Sequence, residues 1–479
     1  MCIRDSDLPL KFAQKLYAEF AIRHPNAFYL RTRQRGMQNW DGKIHYINKH
    51  GEFKIGLLPA VYEKCTEYGI KPKVVDMRQP LPKVSKVVTK IGEYKLRPEQ
   101  EKAVKAVINN KVGKVPFQIG VLDYTVNAGK TLIMSSLYLS YKKQLKTLLI
   151  TNDSDWLNQA RDEFKKYLPG EQITFVQGKV LNWSNFTIGM VQSISRNMRF
   201  YQNELSKVDM VLVDEADQAG SKQYQNVLTR LFNTRVRIGL SGTIYMSKLA
   251  KDKVKNMNLE VFFGKVLAEF KLKDSIKKGY STRTIVKMVP SKPWYGNWES
   301  DCISYKEIYD DSITLNKYAR RMAYARLKWN INQGRYPALV VCKHIAHCEN
   351  LYKFFKKKLG DAYNISYVHV NTPSKLRQQI MKDFREGKID ILVSTTIIAR
   401  GKNFPKLKYL LNTASMLSNE KTIQFLGRLV RTDSSKKKAY VDDLMYPGNY
   451  LSRHARARKR YYQVEKLKVI LVKRPKHKL

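Results

Sequence analysis

The sequence predicts an α/β protein with two parallel sheets in tandem and a small α+β domain ahead of them. Three observations carry this. Short unbroken apolar runs recur between helical stretches from residue 96 onward: TLLIT at 147–151, FTIGMV at 186–191, MVLV at 210–213 and RIGL at 237–240. A second series begins after about residue 280, with ALVVC at 338–342, ISYVHV at 365–370, DILVST at 390–395, YLLNTA at 409–414 and AYVDDL at 439–444. Unbroken runs of this length fit strands covered on both faces, which is the condition of a parallel sheet. The first 90 residues lack that pattern.

In chain order, residues 10–22 (LKFAQKLYAEFAI) have helical apolar spacing. AFYLR and KIHYI then read as short β-like runs, with turn signals at Asp41-Gly42 and His50-Gly51. A helix is predicted from about Leu57 to Tyr68, and 71–90, rich in Pro, Lys and Val, reads as a linker or crossing strand. The domains expected are an accessory domain at 1–90, a first sheet domain at 91–275, a second at 276–450 and a basic extension at 451–479. The opening MCIRDS fits no pattern that follows it and resembles a translated sequencing adaptor; no function rests on it.

The chain has 88 basic and 41 acidic residues, a formal net charge of +47 over 479 residues. An excess that large points to a polyanionic partner, of which nucleic acid is the commonest. No apolar run is long enough to span a bilayer and no signal peptide opens the chain, so a cytoplasmic protein is expected. Five cysteines without a CxxC pair fit a reducing compartment.

The motif that carries chemistry is TVNAGKT, residues 125–131. Gly129, Lys130 and Thr131 match the end of a phosphate-binding loop, but Tyr124 stands where its first glycine belongs. A strand-like run, Phe117 to Leu122, precedes it and a helical run, Thr131 to Tyr138, follows. Backbone N–H groups around Ala128 to Thr131 suit a β-phosphate. Lys130 would neutralise the β- and γ-phosphates and Thr131 would ligate Mg²⁺. Tyr124 is expected to make the turn without glycine's freedom. VLVDEAD at 211–217 is an apolar strand ending in acids. Asp214 would hold the metal and Glu215 would orient or deprotonate the attacking water. Acids at a strand's carboxyl end share the edge where open α/β sheets bind ligands. In QFLGRLVR (424–431), Gln424, Arg428 and Arg431 lie along one helical face that could reach a γ-phosphate. Each piece has a bland reading as well: a solvated lysine, an acidic helix cap, surface arginines.

Taken in this order, the motifs resemble those of the superfamily 2 helicases and translocases, within it the phage recombination helicases, over about 96–445. The resemblance implies two tandem RecA-like domains and an ATP-dependent DNA helicase with ATP and Mg²⁺ as cofactors. LRPEQ (96–100) resembles the upstream motif, giving Arg97 and Gln100 to the nucleotide, Gln100 at adenine. TVNAGKT adds Asn127, Ala128, Gly129, Lys130 and Thr131. SGT (241–243) resembles motif III, with Ser241 and Thr243 coupling ATP state to closure. VSTTIIARGKNFP (393–405) resembles motif V and places Gly401 at the nucleotide, with Asn403 where many relatives have Asp. KHIAH (343–347) resembles a stretch at motif IV. NWDGKIHYIN (39–48) with FKIGLLP (53–59) resembles a DNA-binding accessory domain.

The resemblance further implies contacts to the nucleic-acid backbone from Asn152, Gln192, Ser193, Thr395 and Thr396. Amides and hydroxyls suit phosphate and sugar, so sequence-independent binding of single-stranded, forked or branched DNA is expected. Phage recombination or replication proteins are the implied partners, in the host cytoplasm, and the protein is expected as a monomer. Tyr461 and Tyr462 in the basic tail could stack on bases, and Trp40 and Tyr29 invite the same reading. Cys342, His344, His347 and Cys348 form a Cys/His cluster whose spacing fits zinc poorly. The alternatives left open are the motor subunit of a restriction system, an RNA helicase, and a nucleic-acid scaffold that does not hydrolyse ATP.

Overall fold

The structure is a computed structural model. It describes residues 2–3, 9–34, 36–125, 127–152, 154–242, 250–291, 304–399, 404–416, 426–427, 429–433 and 436–472. The chain forms two compact units, Met1–Phe270 and Lys271–Leu479. No described helix is long and apolar enough to cross a membrane.

The first unit holds a seven-stranded parallel sheet. Numbered within the two large sheets, its strands are β1 Ile119–Tyr124, β2 Thr147–Thr151, β3 Ile173–Val176, β4 Phe186–Met190, β5 Met210–Asp214, β6 Val236–Ser241 and β7 Val266–Phe270. They lie in the order β3-β4-β2-β5-β6-β1-β7. Every residue of β1, β2, β5 and β6 is buried, as strands covered by helices on both faces require. The second unit repeats the plan. Its strands are β8 Arg283–Pro290, β9 Ala338–Cys342, β10 Ile365–Val368, β11 Ile391–Thr395, β12 Tyr409–Asn412, β13 Lys438–Met445 and β14 Lys468–Leu471. Their order, β10-β11-β9-β12-β13-β8-β14, is the same permutation. The expected pair of tandem parallel sheets is therefore present, each with one topology used twice.

Residues 9–90 fall within the first compact unit. Helix Leu10–Glu19 buries Phe12, Ala13 and Leu16, and helix Leu58–Glu67 buries Val61 and Cys65. Of these, Phe12, Leu16, Val61 and Cys65 join one apolar cluster with Leu259, Phe262 and Phe263. Gly56 permits the contact: a Cβ there would sit 2.1 Å from the Glu260 carbonyl. Residues 71–90 run as a strap without helix up to Thr89. Arg78 donates to the Thr234 carbonyl and Arg235 to the Arg78 carbonyl.

Two expectations need correction here. AFYLR is not a strand: Ala27–Arg33 is a helix, and the strands on either side of it in sequence, Ala21–Arg23 and Lys43–His45, pair with each other. Phe28 and Tyr29 are 79% and 55% exposed, so no strand face buries them. The β preference of aromatic residues reflects a half-buried surface that is missing there. Arg31 and Arg33 lie in the last helical turn, where a cation favours the helix dipole. The basic tail also packs tightly. Helix Asn449–Val464 buries Arg458, and β14 pairs with β8 at the sheet edge.

Candidate nucleotide site and nucleic-acid edge

Tyr124 is not a loop residue. It ends β1 fully buried, and its hydroxyl donates to the Glu99 carbonyl at 2.6 Å. No glycine freedom is required there, which resolves the missing first glycine. The left-handed positions fall later, at Asn127 (φ 65) and Gly129 (φ 71), on either side of Ala128. Left-handed residues in such a turn aim successive N–H groups into one concavity that suits an anion. Helix Lys130–Ser140 begins at once, adding the unpaired N–H groups of its first turn and the positive end of its dipole. The Asn127 side-chain amide nitrogen is buried, with no hydrogen-bond partner among the described residues. A phosphate oxygen is the acceptor that such a donor lacks, so the loop fits a nucleotide.

Gly129 is fixed by a close approach as well as by its φ. A Cβ there would lie 2.3 Å from Gln100 Nε2. Gln100 is buried; its Nε2 donates to the Ala128 carbonyl at 2.8 Å and its Oε1 accepts from Arg97 N at 2.8 Å. Arg97 Nη1 donates to the Asn127 carbonyl at 3.4 Å. The upstream motif thus braces the phosphate loop. Lys130 Nζ donates to the Tyr124 carbonyl at 3.4 Å, and Thr131 Oγ1 donates to Glu163 Oε2 at 2.8 Å.

Asp214 ends β5 and is buried. Glu215 follows at φ 53, a left-handed conformation that is uncommon outside glycine and gathers at functional sites. Ala216–Gln218 then make one 3₁₀ turn. Asp217, which sequence reasoning left without a role, is buried and accepts from Ser241 Oγ at 2.7 Å. Burial raises the Asp217 pKa, opposed by Lys255 and by the Ser241 hydrogen bond. Ser241 ends β6, so the third motif is tied to the second through Asp217; Thr243 lies outside the described residues.

Gln218, also unnamed from sequence, joins the acids to the expected nucleic-acid contacts. Its Nε2 donates to Glu215 Oε2 at 3.2 Å, and its Oε1 accepts from Asn152 Nδ2. Gln192 Nε2 donates to the Asn152 carbonyl at 3.2 Å. Ser193 lies beside Gln192 in helix Val191–Arg196, and its carbonyl accepts from Asn197 Nδ2 at 2.8 Å. No sequence signal marks Gln218 or Glu163; their roles come from chain reversals that spacing does not reveal.

In the second unit, Thr395 ends β11 and Thr396 opens a 3₁₀ turn, Thr396–Ala399. Arg431 bridges Ser281, and its carbonyl accepts from Thr282 Oγ1 at 3.0 Å. Gln424, Arg428, Gly401 and Asn403 lie outside the described residues. The Cys/His cluster is core packing. Cys342 and Cys348 are buried, Cys348 Sγ donates to the Val393 carbonyl at 3.5 Å, and His347 Nδ1 meets the Tyr309 hydroxyl at 3.0 Å. Complete burial holds the His347 pKa down to about 3, so the ring is neutral. Stacking by Tyr462 is excluded, because its buried hydroxyl donates to Asp443 Oδ2 at 2.7 Å; Tyr461 is buried too.

Residues 93–246 match the family described as type III restriction enzyme, res subunit, and residues 322–433 match the helicase conserved C-terminal domain. These ranges carry the nucleotide loop and both acids in one unit and the fifth and sixth motifs in the other. The chain belongs to the superfamily 2 helicases. It is an ATP-dependent helicase. It is 22% identical over 454 residues to the ATP-dependent DNA helicase uvsW of Enterobacteria phage T4, covering 90% of this chain and 86% of that one. Among solved structures, a putative HsdR subunit of a type I restriction enzyme from Vibrio vulnificus YJ016 matches with a TM-score of 0.55 at 16% identity, over 72% of this helicase and 63% of that chain. S. cerevisiae Dbp5 bound to RNA and ADP BeF3 matches with a TM-score of 0.54 at 14% identity, over 79% and 90%. The two structures share the fold with this helicase.

Proposed function

We propose that this helicase acts on DNA, using ATP hydrolysis to translocate along and unwind or branch-migrate forked and branched duplexes. The observation that carries the reading is the set of groups along one carboxyl edge: the Asn127–Gly129 loop and Lys130 after β1, Ser241 at the end of β6, and Asp214 with Glu215 at the end of β5. Those strands are neighbours in the sheet, so the phosphate loop and the acids flank one position.

In this reading Lys130 neutralises the β- and γ-phosphates, and the loop amides orient them. Asp214 and Thr131 would hold Mg²⁺, for which a carboxylate and a hydroxyl are fitting hard donors. When bound, the ion neutralises charge on the phosphate oxygens. Thr131 would give up its bond to Glu163 to hold the ion. Glu215 orients the attacking water and takes its proton. Arg428 and Arg431 reach the γ-phosphate from the second unit, an arrangement that can be worth about 10³–10⁵ in rate. Hydrolysis removes the shared contact, so the hinge equilibrium shifts with each turnover. Asn152, Gln192, Ser193, Thr395 and Thr396 grip the nucleic-acid backbone.

DNA is favoured over RNA because the likeness to the T4 DNA helicase spans nine-tenths of the chain. ATP hydrolysis and strand separation measured on forked DNA, four-way DNA and RNA duplex test this. Forked and four-way DNA should stimulate hydrolysis most, and Lys130→Ala should abolish it. Preferential unwinding of RNA duplex would overturn the DNA assignment.

A further inference from the structure

We infer that Gln218 is a positioning residue through which bound nucleic acid controls Glu215. The inference rests on the reading of Asn152 and Gln192 as nucleic-acid contacts, and deepens it. Strands β4, β2 and β5 are consecutive in the first sheet. Gln192 follows β4, Asn152 follows β2, and Glu215 with Gln218 follow β5. A line of hydrogen bonds therefore crosses the carboxyl edge over two strand spacings, about 10 Å. It runs from Gln192 Nε2 to the Asn152 carbonyl, from Asn152 Nδ2 to Gln218 Oε1, and from Gln218 Nε2 to Glu215 Oε2.

Local geometry makes this line specific. The Ala216–Gln218 turn, entered from Glu215, brings the Gln218 amide back to the Glu215 carboxylate, 3.2 Å from Nε2 to Oε2. A glutamine amide carries an acceptor at one atom and donors at the other, so one side chain can receive from Asn152 and donate to Glu215 together. The Glu215 carboxylate accepts from Gln218 Nε2, so a turn of that amide alters what holds it. Gln192 Oε1 is buried with no hydrogen-bond partner among the described residues. A phosphate taking the Asn152 amide alters the partner that Gln218 Oε1 receives. The Gln218 amide then turns, and the Glu215 carboxylate turns with it. Nucleic acid thereby sets the orientation of the group that addresses water.

The test is the ratio of ATP turnover with and without nucleic acid, using a poly(dT) oligonucleotide and a forked duplex as probes. Gln218→Met keeps the length and loses the amide; Asn152→Ala cuts the line one bond further out. Each should lower the ratio about 10-fold, equivalent to about 1.4 kcal/mol, while the KM for ATP moves less than about twofold. The double variant should lose no more than either single one, as coupled groups do. A wild-type chain that nucleic acid stimulates, with an unchanged ratio in Gln218→Met, would remove the relay and leave the contacts standing. Parallel losses with and without nucleic acid leave the ratio unchanged and count the same way. Wild-type turnover that neither probe raises would remove the contacts and the relay together.

Discussion

Arg458 should be worth more to stability than any other charge in the basic tail. Its side chain and that of Asp443 are both 0% exposed. Arg458 Nε reaches Asp443 Oδ2 at 2.9 Å, Nη2 reaches Oδ1 at 2.8 Å, and Nη1 donates to the Met416 carbonyl at 2.8 Å. Asp443 also accepts from the Tyr462 hydroxyl and from Asn412 Nδ2 at 3.1 Å. Burial presses against the Arg458 charge, yet Asp443 outweighs it and the pKa is raised. Arg458→Met leaves a buried carboxylate facing two neutral donors. Removing one partner of such a pair costs about 3–5 kcal/mol. For a unit this size, each kcal/mol lowers Tm by about 2–4 °C, so a fall of about 6–20 °C is expected in the transition of the second unit. Thermal unfolding of the full chain followed by circular dichroism reads this. Arg458→Met/Asp443→Leu should recover more than half of the loss, because the stranded charge is gone. A single variant whose Tm moves less than about 2 °C would refute the reasoning.

Gly129→Ala should weaken nucleotide binding at least about 10-fold, since a left-handed L-residue costs about 1–2 kcal/mol and the added carbon meets Gln100. A fluorescent-nucleotide titration with unchanged affinity would count against the loop geometry. His347, with its folded pKa near 3 against an ordinary 6.5, is neutral when folded. Its contribution is complete above pH 6.5 and is lost as pH falls toward 3, because the unfolded chain binds the proton first. His347→Gln should flatten the stability–pH slope in that window by about one proton, 1.4 kcal/mol per pH unit. If about six phosphates are neutralised on a single strand, log K should fall with log salt at a slope near −4. A slope flatter than about −1 would mean that the +47 charge does not serve that contact.

The interior strands were legible because burial on both faces writes them as unbroken apolar runs; TLLIT and ALVVC match β2 and β9 residue for residue. The strands that sequence reasoning missed are weaker writers. β3 and β7 are sheet edges, with burial that is partial or alternating, and β14 is an edge inside a lysine-rich tail. β8 mixes Arg283 and Lys287 into its run and reads as neither alternating nor apolar. The nucleotide loop was legible at Gly129, Lys130 and Thr131, where chemistry fixes residue type. Tyr124 misled because the loop's missing glycine was sought at a position that the strand occupies. Asp217 and Gln218 were illegible because their partners, Ser241 and Asn152, are 24 and 66 residues away in the chain and meet only at the sheet edge.

The proposal on which the rest depends is that Arg428 and Arg431 act on the triphosphate. ATP affinity and nucleic-acid-stimulated turnover of Arg428→Ala and Arg431→Ala, measured side by side with wild type, test it directly. The account predicts nucleotide affinity within severalfold of wild type and turnover lower by about 10³ or more. Turnover that stays at the wild-type level in both variants would contradict it.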